Sequence, residues 1–413
     1  MTVQIDLTTS EPAQTADPYP FLARLRAESP VGRVVIDGLP AWLVTSHELA
    51  RMALADSRLS VNPDLASAGA RTVPWVAAIA SPGLARHLLR TDAPDHTRLR
   101  RLISHAFTPR RVEAMWPRIQ QIADDVIAAF LPRGRADLIT EFAQPVPMTI
   151  IAELLGVPEA DRAEFARLTN IYGGVDEGDT ARVPQALADL RARLSALIEE
   201  KERLAPSDPE AGDLLDGLIA ATDEGGRLDR DELLAMAFLL VAAGYETTVS
   251  LIGNGVLALL RNPAQLAALR ADPHLIGQAV EEFLRYDSPV KMSAAIRFAV
   301  EEVPLGGAVI PAGDPVLISY AGADRDPAQF SDPDRMDIWR ASAAGHLAFS
   351  HGPHYCLGAP LARAEGQIAI STLLRRCGDL TLTAEPAELA WRHSRLVRGL
   401  KHLPVTFRAA PAP

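Results

Sequence analysis

Two cysteines, Cys356 and Cys377, are all that the 413 residues contain. Both lie near the C-terminus, so they cannot build a disulfide framework, and the pair reads as a reducing compartment. Aromatic residues are few, at 5%. Positive charge is in the minority: 41 Lys and Arg against 52 Asp and Glu give a formal net charge of −11. Phosphate binding needs net positive surface, so a general nucleic-acid binder is a poor reading. The opening stretch MTVQIDLTTSEPAQTADPYP has no basic region followed by an apolar one, so it does not read as a signal peptide. Long hydrophobic runs are also missing. The longest, Leu233 to Tyr245, ends at Glu246, Thr247 and Thr248, short of the roughly 18 apolar residues a membrane span requires. These absences point to a cytoplasmic protein with neither a membrane nor a nucleic-acid partner.

What is present is apolar mass. Hydrophobic residues make up 48% of the chain and charged ones 23%, enough for a large core with an ordinary globular surface. Length alone suggests more than one domain, but no linker, internal repeat or low-complexity boundary interrupts residues 1–413. The expectation is one mainly α domain with a small β region, its residues 1–16 loosely ordered. Val31 to Ile36 and Ala41 to Val44 read as strands around an Asp37-Gly38 hairpin turn. Helical patterns fill most of Arg98 to Arg285, among them Val112 to Leu131, Pro147 to Leu155 and Gln185 to Leu204. Beyond Pro289 a second hairpin is expected over Val303 to Ile310, turning at Gly306-Gly307, then a strand at Val316 to Tyr320. Ala321 to Phe349 is a long irregular connection, and such loops are usually functional. A last helix is expected from Ala359 to Arg376.

The most informative segment is Phe349-Ser-His-Gly-Pro-His-Tyr-Cys-Leu-Gly358. Cys356 precedes a helix start, with Pro360 tolerated in the first turn. Free N–H groups and the positive dipole end there favour a thiolate. A thiolate is the axial ligand a haem iron needs for O–O cleavage. Gly352 and Gly358 would let the backbone approach a flat macrocycle, and Phe349 could cover the sulfur. Three other readings stay open on this segment alone. Cys356 could be a structural cysteine at a helix start. It could join His346, His351 and His354 in a zinc site, although the intervals do not match the usual paired-ligand spacings. It could be a nucleophile with a distant base.

Four further features bear on the choice. Ala242-Ala243-Gly244-Tyr245-Glu246-Thr247-Thr248 breaks an apolar helix with small residues and then an acid beside an alcohol. Polar groups in mid-helix cost stability unless partnered, and Gly244 removes a side chain where a bulky ligand could press on the helix. The bland alternative is a kink in a core helix. Glu282 and Arg285 sit at i and i+3 on one helical face, which suggests either a folding network or a surface pair of little energy. His96 and Arg100 are one helical turn apart, and Arg297 follows the Pro289 break. Each of these basic residues taken singly is more often a solvated charge, but together they suit the two propionates of a haem.

Taken together, Glu282-x-x-Arg285, Ala243-Gly244-x-Glu246-Thr247-Thr248 and Phe349-x-x-Gly352-x-His354-x-Cys356-x-Gly358 resemble the cytochrome P450 monooxygenases. Asp95-His96-Thr97-Arg98-Leu99-Arg100 and Arg325-Asp326-Pro327 resemble the soluble bacterial branch, and the likeness runs from about Pro18 to Phe407. It implies the cytochrome P450 fold, a prism-shaped helical domain around haem b (iron protoporphyrin IX). Carried over residue by residue, Cys356 would ligate the iron, Glu246 and Thr247 would deliver protons to bound oxygen, and His96, Arg100, Arg297 and His354 would hold the propionates. Phe349, Gly244 and Gly358 complete the expected cofactor-binding set. Two positions depart from the pattern: Asp324 stands where Asn is common, and Lys291 where a neutral residue is usual.

The resemblance also implies dioxygen, two electrons, and hydroxylation or epoxidation of a small hydrophobic molecule. The whole sequence looks most like macrolide- and polyketide-tailoring members. A peroxide-driven haem enzyme and a non-catalytic haem sensor are the alternatives, and the intact Glu246-Thr247 pair speaks against both. No reductase-like region is seen, so a ferredoxin and its reductase are the expected partners. Arg98, Arg100, Arg101, Arg110 and Arg111 could form a patch that steers an acidic ferredoxin. Pocket walls are expected from Val73 to Leu89, Leu168 to Val183, Leu240 to Thr247, Val290 to Ala295 and Ser394 to Leu396.

Overall fold

The computed structural model of this chain describes residues 5–6, 15–73, 76, 87–104, 107–172, 182–204, 213–223 and 226–410. Most of residues 1–16, and much of the expected pocket segments 73–89 and 168–183, therefore lie outside the described residues.

Helix dominates, as the periodicity implies. Naming those that matter here, α1 is His47–Ala55, α2 Asp95–Ser104, α3 Pro109–Phe130, α4 Pro145–Leu154, α5 Glu159–Tyr172 and α6 Val183–Leu204. Next come α7 Arg230–Gly244, α8 Glu246–Leu260, α9 Ile276–Tyr286 and α10 Ala359–Arg376. Start signals act as expected. Thr108 accepts from the Arg111 amide to cap α3, with Pro109 in its first turn. Asp229 and Glu232 form a reciprocal capping box on α7. From Thr248 to Leu259 every residue of α8 is buried. Helices close in around it: a Cβ on Gly255 would stand 2.9 Å from the Phe283 ring, and one on Gly366 the same distance from Leu251. Small residues at these two points let α9 and α10 approach α8. Residues 230–260 together are apolar enough by composition to cross a membrane, but 61% of that window is buried within the fold, as a core helix would be.

The β region is small and lies to one side. A six-stranded sheet contains β1 Ile5–Asp6, β2 Val31–Ile36, β3 Leu39–Val44, β4 Leu59–Ser60, β5 Arg297–Ala299 and β6 Pro315–Ile318, in the order β1-β2-β3-β6-β5-β4. The β2–β3 turn has both Asp37 (φ 45°) and Gly38 (φ 76°) in the left-handed region, the geometry a two-residue hairpin favours. The second hairpin pairs 303–305 with 308–310.

Glu282 and Arg285 are fully buried, so the surface-bridge alternative does not hold. Two charge-assisted bonds join them, at 2.7 and 2.8 Å. Glu282 also accepts from the Asp337 amide (2.9 Å) and from Arg340 (3.3 Å), while Arg285 donates to the carbonyls of Asp324 and Pro333, both at 2.9 Å. This network ties the irregular 321–349 segment to α9. Asp324 lies within it, fully buried, and its Oδ1 accepts from the Leu347 amide at 2.6 Å while Oδ2 has no partner. Burial pushes this carboxyl well above its ordinary value, against the opposing pull of the Leu347 amide, Arg285 and Arg325. Burial thus favours the neutral form of the acid, the form that most resembles the usual Asn.

Arg285→Ala would strand the Glu282 charge, at a cost of about 3–5 kcal/mol. The expected result is aggregate or cofactor-free protein; soluble protein with full cofactor content would contradict it. For Asp324 the folded-state value is raised, so its contribution to stability is complete below the ordinary value of 3.8 and is lost as pH rises above it. Asp324→Asn is neutral at every pH. Its melting temperature relative to wild type should therefore climb from pH 4 towards pH 8; a pH-independent difference would contradict the reading.

Candidate functional site

The helix expected through Ala242 to Thr248 is interrupted at Tyr245, so the kink reading is correct as far as it goes. The break is held by side chains. The Thr247 hydroxyl donates to the Ala243 carbonyl at 2.7 Å and Thr248 to that of Gly244 at 3.0 Å. Leu240, Ala243 and Thr247 keep open surface, while Val241, Tyr245 and Thr248 are buried. Leu239, Ala242, Gly244 and Glu246 are part-exposed as well, so the helix, enclosed on either side, opens around its break. Gly244 is part-exposed at the break. A Cβ there would meet only Ile151 on α4, at an ordinary 3.4 Å, so helix packing does not by itself require glycine at this point.

Glu246 forms an ion pair with Arg392, a buried residue of the C-terminal loop. Burial raises the Glu246 carboxyl above its ordinary value and Arg392 pulls it down less strongly. Arg392 was not a sequence candidate, because nothing local marks a loop arginine that lies 146 positions from its partner.

On the other side, the Cys356 amide donates to the Phe349 carbonyl at 2.9 Å, closing the cysteine loop. The Phe349 ring is buried among His346, Tyr355 and Arg363, whose guanidinium lies 4.6 Å from the ring centre. Cys356 is part-buried at the start of α10. Backbone N–H groups of Gly358 and Ala359 do reach the sulfur, as the helix-start argument requires, and Arg100 and Arg363 act the same way. Burial nevertheless dominates and raises the thiol. A cation bonded to the sulfur would act in the same direction as these N–H groups and arginines. Gly352 is also not an approach point. At φ 70° a Cβ there would meet the Leu54 carbonyl at 3.1 Å, so it seats the loop on α1. Gly358 is different: a Cβ there would lie 4.0 Å from Cys356 Sγ, beside the sulfur.

Four expected cationic residues converge next to this loop. His96 and His354 stack with ring centres 4.3 Å apart. Arg100 donates to the Tyr355 carbonyl at 2.8 Å. Burial, with repulsion from His96, Arg297 and Arg100, pushes His354 down to about 4. Arg297 is buried, and no hydrogen bond or ion pair engages its guanidinium among the described residues. His96 Nε2 and His354 Nδ1 are buried without partners. Unpaired buried polar atoms are costly, and the one carboxylate among the described residues that acts on His96, His354 and Arg297, Asp92, is taken up by the Ser60 hydroxyl and the Val61 amide. A doubly anionic group completes such a cluster.

The competing readings of Cys356 lose support. Among the described residues, no three His, Cys, Asp or Glu side chains come together as a metal site. His346 instead lies against Glu281, 3.3 Å away. Among the described residues, no hydrogen bond joins Cys356 to a histidine. In the basic stretch, Arg98 is paired with Glu232, Arg100 turns to the cysteine loop, and Arg111 lies near Gly217 on another helix.

The family model described as Cytochrome P450 matches residues 149–381. The chain is 50% identical to the cytochrome P450 monooxygenase PikC of Streptomyces venezuelae, over 95% of this chain and 92% of that one. It is 42% identical to the 6-deoxyerythronolide B hydroxylase of Saccharopolyspora erythraea, over 94% and 96%. The solved structure of the bacillaene polyketide synthase cytochrome P450 PksS of Bacillus subtilis superposes with a TM-score of 0.87 at 37% identity, covering 97% and 100% of the two chains. These are haem-thiolate enzymes, so haem b is the expected cofactor. The residues fit it: its propionates would answer the orphaned polar atoms of His96 and His354 and the guanidinium of Arg297, and its iron would supply a cation at the buried thiol.

Cys356→Ser is expected to abolish the strongly red-shifted Soret band of the reduced carbon monoxide complex. Cys377→Ser should keep the band, since Cys377 is buried at the far end of α10. A band that survives in Cys356→Ser would remove this residue from the iron.

Proposed function

The chain belongs to the cytochrome P450 family, and we propose that it is a cytoplasmic monooxygenase, folded as one domain, that hydroxylates or epoxidises a macrolide or polyketide. A ferredoxin and its reductase deliver the electrons. The observation that carries the reading is the break in the helix, where Glu246, ion-paired to Arg392, stands beside Thr247, whose hydroxyl donates to the Ala243 carbonyl. Relatives named for 6-deoxyerythronolide B and for a polyketide synthase support the substrate class.

Haem b, bound through Cys356, supplies dioxygen activation and oxygen-atom transfer. Around it the chain has separate tasks. His96, Arg100, Arg297 and His354 bind the propionates and orient the ring. Phe349 covers the sulfur and keeps water from it. The Thr247 hydroxyl, now resting on the Ala243 carbonyl, has lone pairs free to accept a hydrogen bond from a water or an oxygen-bound proton. Glu246 carries protons from solvent to that hydroxyl, a general acid–base role suited to a carboxyl raised above its ordinary value. Arg392 holds Glu246 between turnovers, so proton supply requires this pair to open.

In a reconstituted assay, Thr247→Ala should bind haem and substrate as wild type does and keep consuming NADPH. The consumption should shift from product to hydrogen peroxide, because protons then arrive without order. Glu246→Ala should slow the entire cycle. An unchanged ratio of product to NADPH in Thr247→Ala would remove the hydroxyl from the reaction.

A further inference from the structure

The loop from Trp391 to Leu400 lies along one face of α8. Glu246, Ser250 and Asn254 stand at successive turns of that helix, and each meets the loop. Glu246 pairs with Arg392, a Cβ on Gly399 would collide with the Ser250 hydroxyl, and the Asn254 side-chain amide donates to the Arg398 carbonyl at 2.9 Å. The loop is also closed across itself. The Arg392 amide donates to the Gly399 carbonyl at 3.0 Å, and the Lys401 amide to that of Ala390 at 2.8 Å. How firmly Arg392 sits on Glu246 therefore depends on what holds this loop.

Arg398 is where the rest of the protein grips it. The Arg398 guanidinium lies 3.7 Å from the Trp391 ring centre and 5.5 Å from that of Tyr19. The Arg325 guanidinium in turn lies 3.9 Å from the Tyr19 ring centre and 3.9 Å from that of Tyr286. Contact thus runs from the loop through Tyr19 to the end of α9, alternating ring and guanidinium. Both arginines are buried. Asp287, the buried carboxylate beside them, is bonded by Arg398 and, at 2.6 Å, by the Tyr19 hydroxyl. Arg325 reaches a second acid, Asp334, only where that side chain is exposed. Ring faces carry the negative end of a quadrupole and offset the cationic charge that one buried carboxylate leaves over. Arg398 also donates to the carbonyls of Thr15 and Ala16, at 3.0 and 2.9 Å, so residues 15–19 strap the loop.

We propose that Tyr19, through its ring, is a positioning residue for proton delivery: it holds Arg398, and with it the loop that sets Arg392 on Glu246. The inference rests on the proton relay through Glu246 and deepens it, since the timing of that relay is then controlled from the N-terminal strap. Without the ring, Arg398 keeps only one of its two stacking faces. The loop then moves more freely on α8, Arg392 releases Glu246 more often, and protons reach Thr247 out of step with electrons.

The test needs no substrate. Haem-loaded protein is supplied with NADPH, a ferredoxin, its reductase and dioxygen, and the share of electrons that ends in water rather than in hydrogen peroxide is measured. Water forms only when protons arrive in order. Tyr19→Leu keeps apolar volume but no ring, and it should show the red-shifted carbon monoxide band of wild type. Its water share should fall about threefold or more, the least that a stacked guanidinium contact is worth. Tyr19→Phe, which keeps the ring, should stay near wild type. In an Arg392→Gln background Tyr19→Leu should add nothing, because both changes act through one pair. Three results overturn the proposal: an unchanged share in Tyr19→Leu, an equal loss in Tyr19→Phe, or the same further loss on top of Arg392→Gln. A ring that serves stability alone would give the first or the third. If Tyr19→Leu loads no haem, Trp391→Leu, which strips the other ring from Arg398, takes its place, and an unchanged share or a further loss on top of Arg392→Gln overturns the proposal in the same way. An Arg392→Gln protein with the wild-type share would instead overturn the relay beneath it, and the proposal with it.

Discussion

Two arginines, two histidines and one buried thiol meet beside the cysteine loop. His96, His354 and Arg297 share one nearby carboxylate, Asp92, yet His96 Nε2 and His354 Nδ1 stay without partners, and Cys356 is held in surroundings that disfavour its ionised form. Left alone, both features would lower stability, since buried polar atoms without partners lose hydration and gain nothing. A cofactor carrying two carboxylates and a metal cation answers both. The folded chain is thus electrostatically incomplete by itself, and the geometry of that deficit matches haem b more closely than any single motif does.

The deficit has to be held in place, and the scaffold for that is unlike ordinary helix packing. Residues 321–349 contain little regular structure, so their backbone polar groups cannot satisfy each other through ladders. Glu282, Arg285 and Arg340 do it for them, reaching the Asp337 amide and the carbonyls of Asp324, Pro333 and Ser331. Asp324 continues the chain of bonds to Leu347, just before the cysteine loop. An ion pair on α9 thereby sets where an irregular segment ends and the loop of Cys356 begins. Gly352 fixes the loop from the other side by resting on α1. Conversion of local charge pairing into the position of a distant sulfur explains why the pair is dry.

Much of this was legible residue by residue. The Asp37-Gly38 turn, the Gly306-Gly307 hairpin and the last helix, Ala359–Arg376, follow from turn chemistry and capping, which act over a few positions. The cysteine loop and the Glu282–Arg285 pair were equally visible, because their partners are close in the chain. Helix starts were less so: α3 begins at Pro109 and α4 at Pro145, a turn or less ahead of the apolar pattern, since caps and prolines rather than burial decide them. Which neighbour a glycine faces was not legible, since it depends on the rotation of its helix against others; for Gly244 the residue across the contact is Ile151.

The sequence by itself determined the family, the mainly helical fold, the candidate thiolate and the acid–alcohol pair, because each of these is written in residues near one another and constrained by backbone chemistry. Tertiary structure alone decided who answers whom. It brought Arg392 to Glu246 across 146 positions, paired Arg98 with Glu232, and stacked the Arg325 guanidinium on Tyr19 and Tyr286. It also set burial against the helix start at the Cys356 thiol. The physical reason is common to all of these. Ionisation and pairing depend on the dielectric surroundings and on which charges are neighbours in space, and a linear string of residue types encodes neither until the chain has packed.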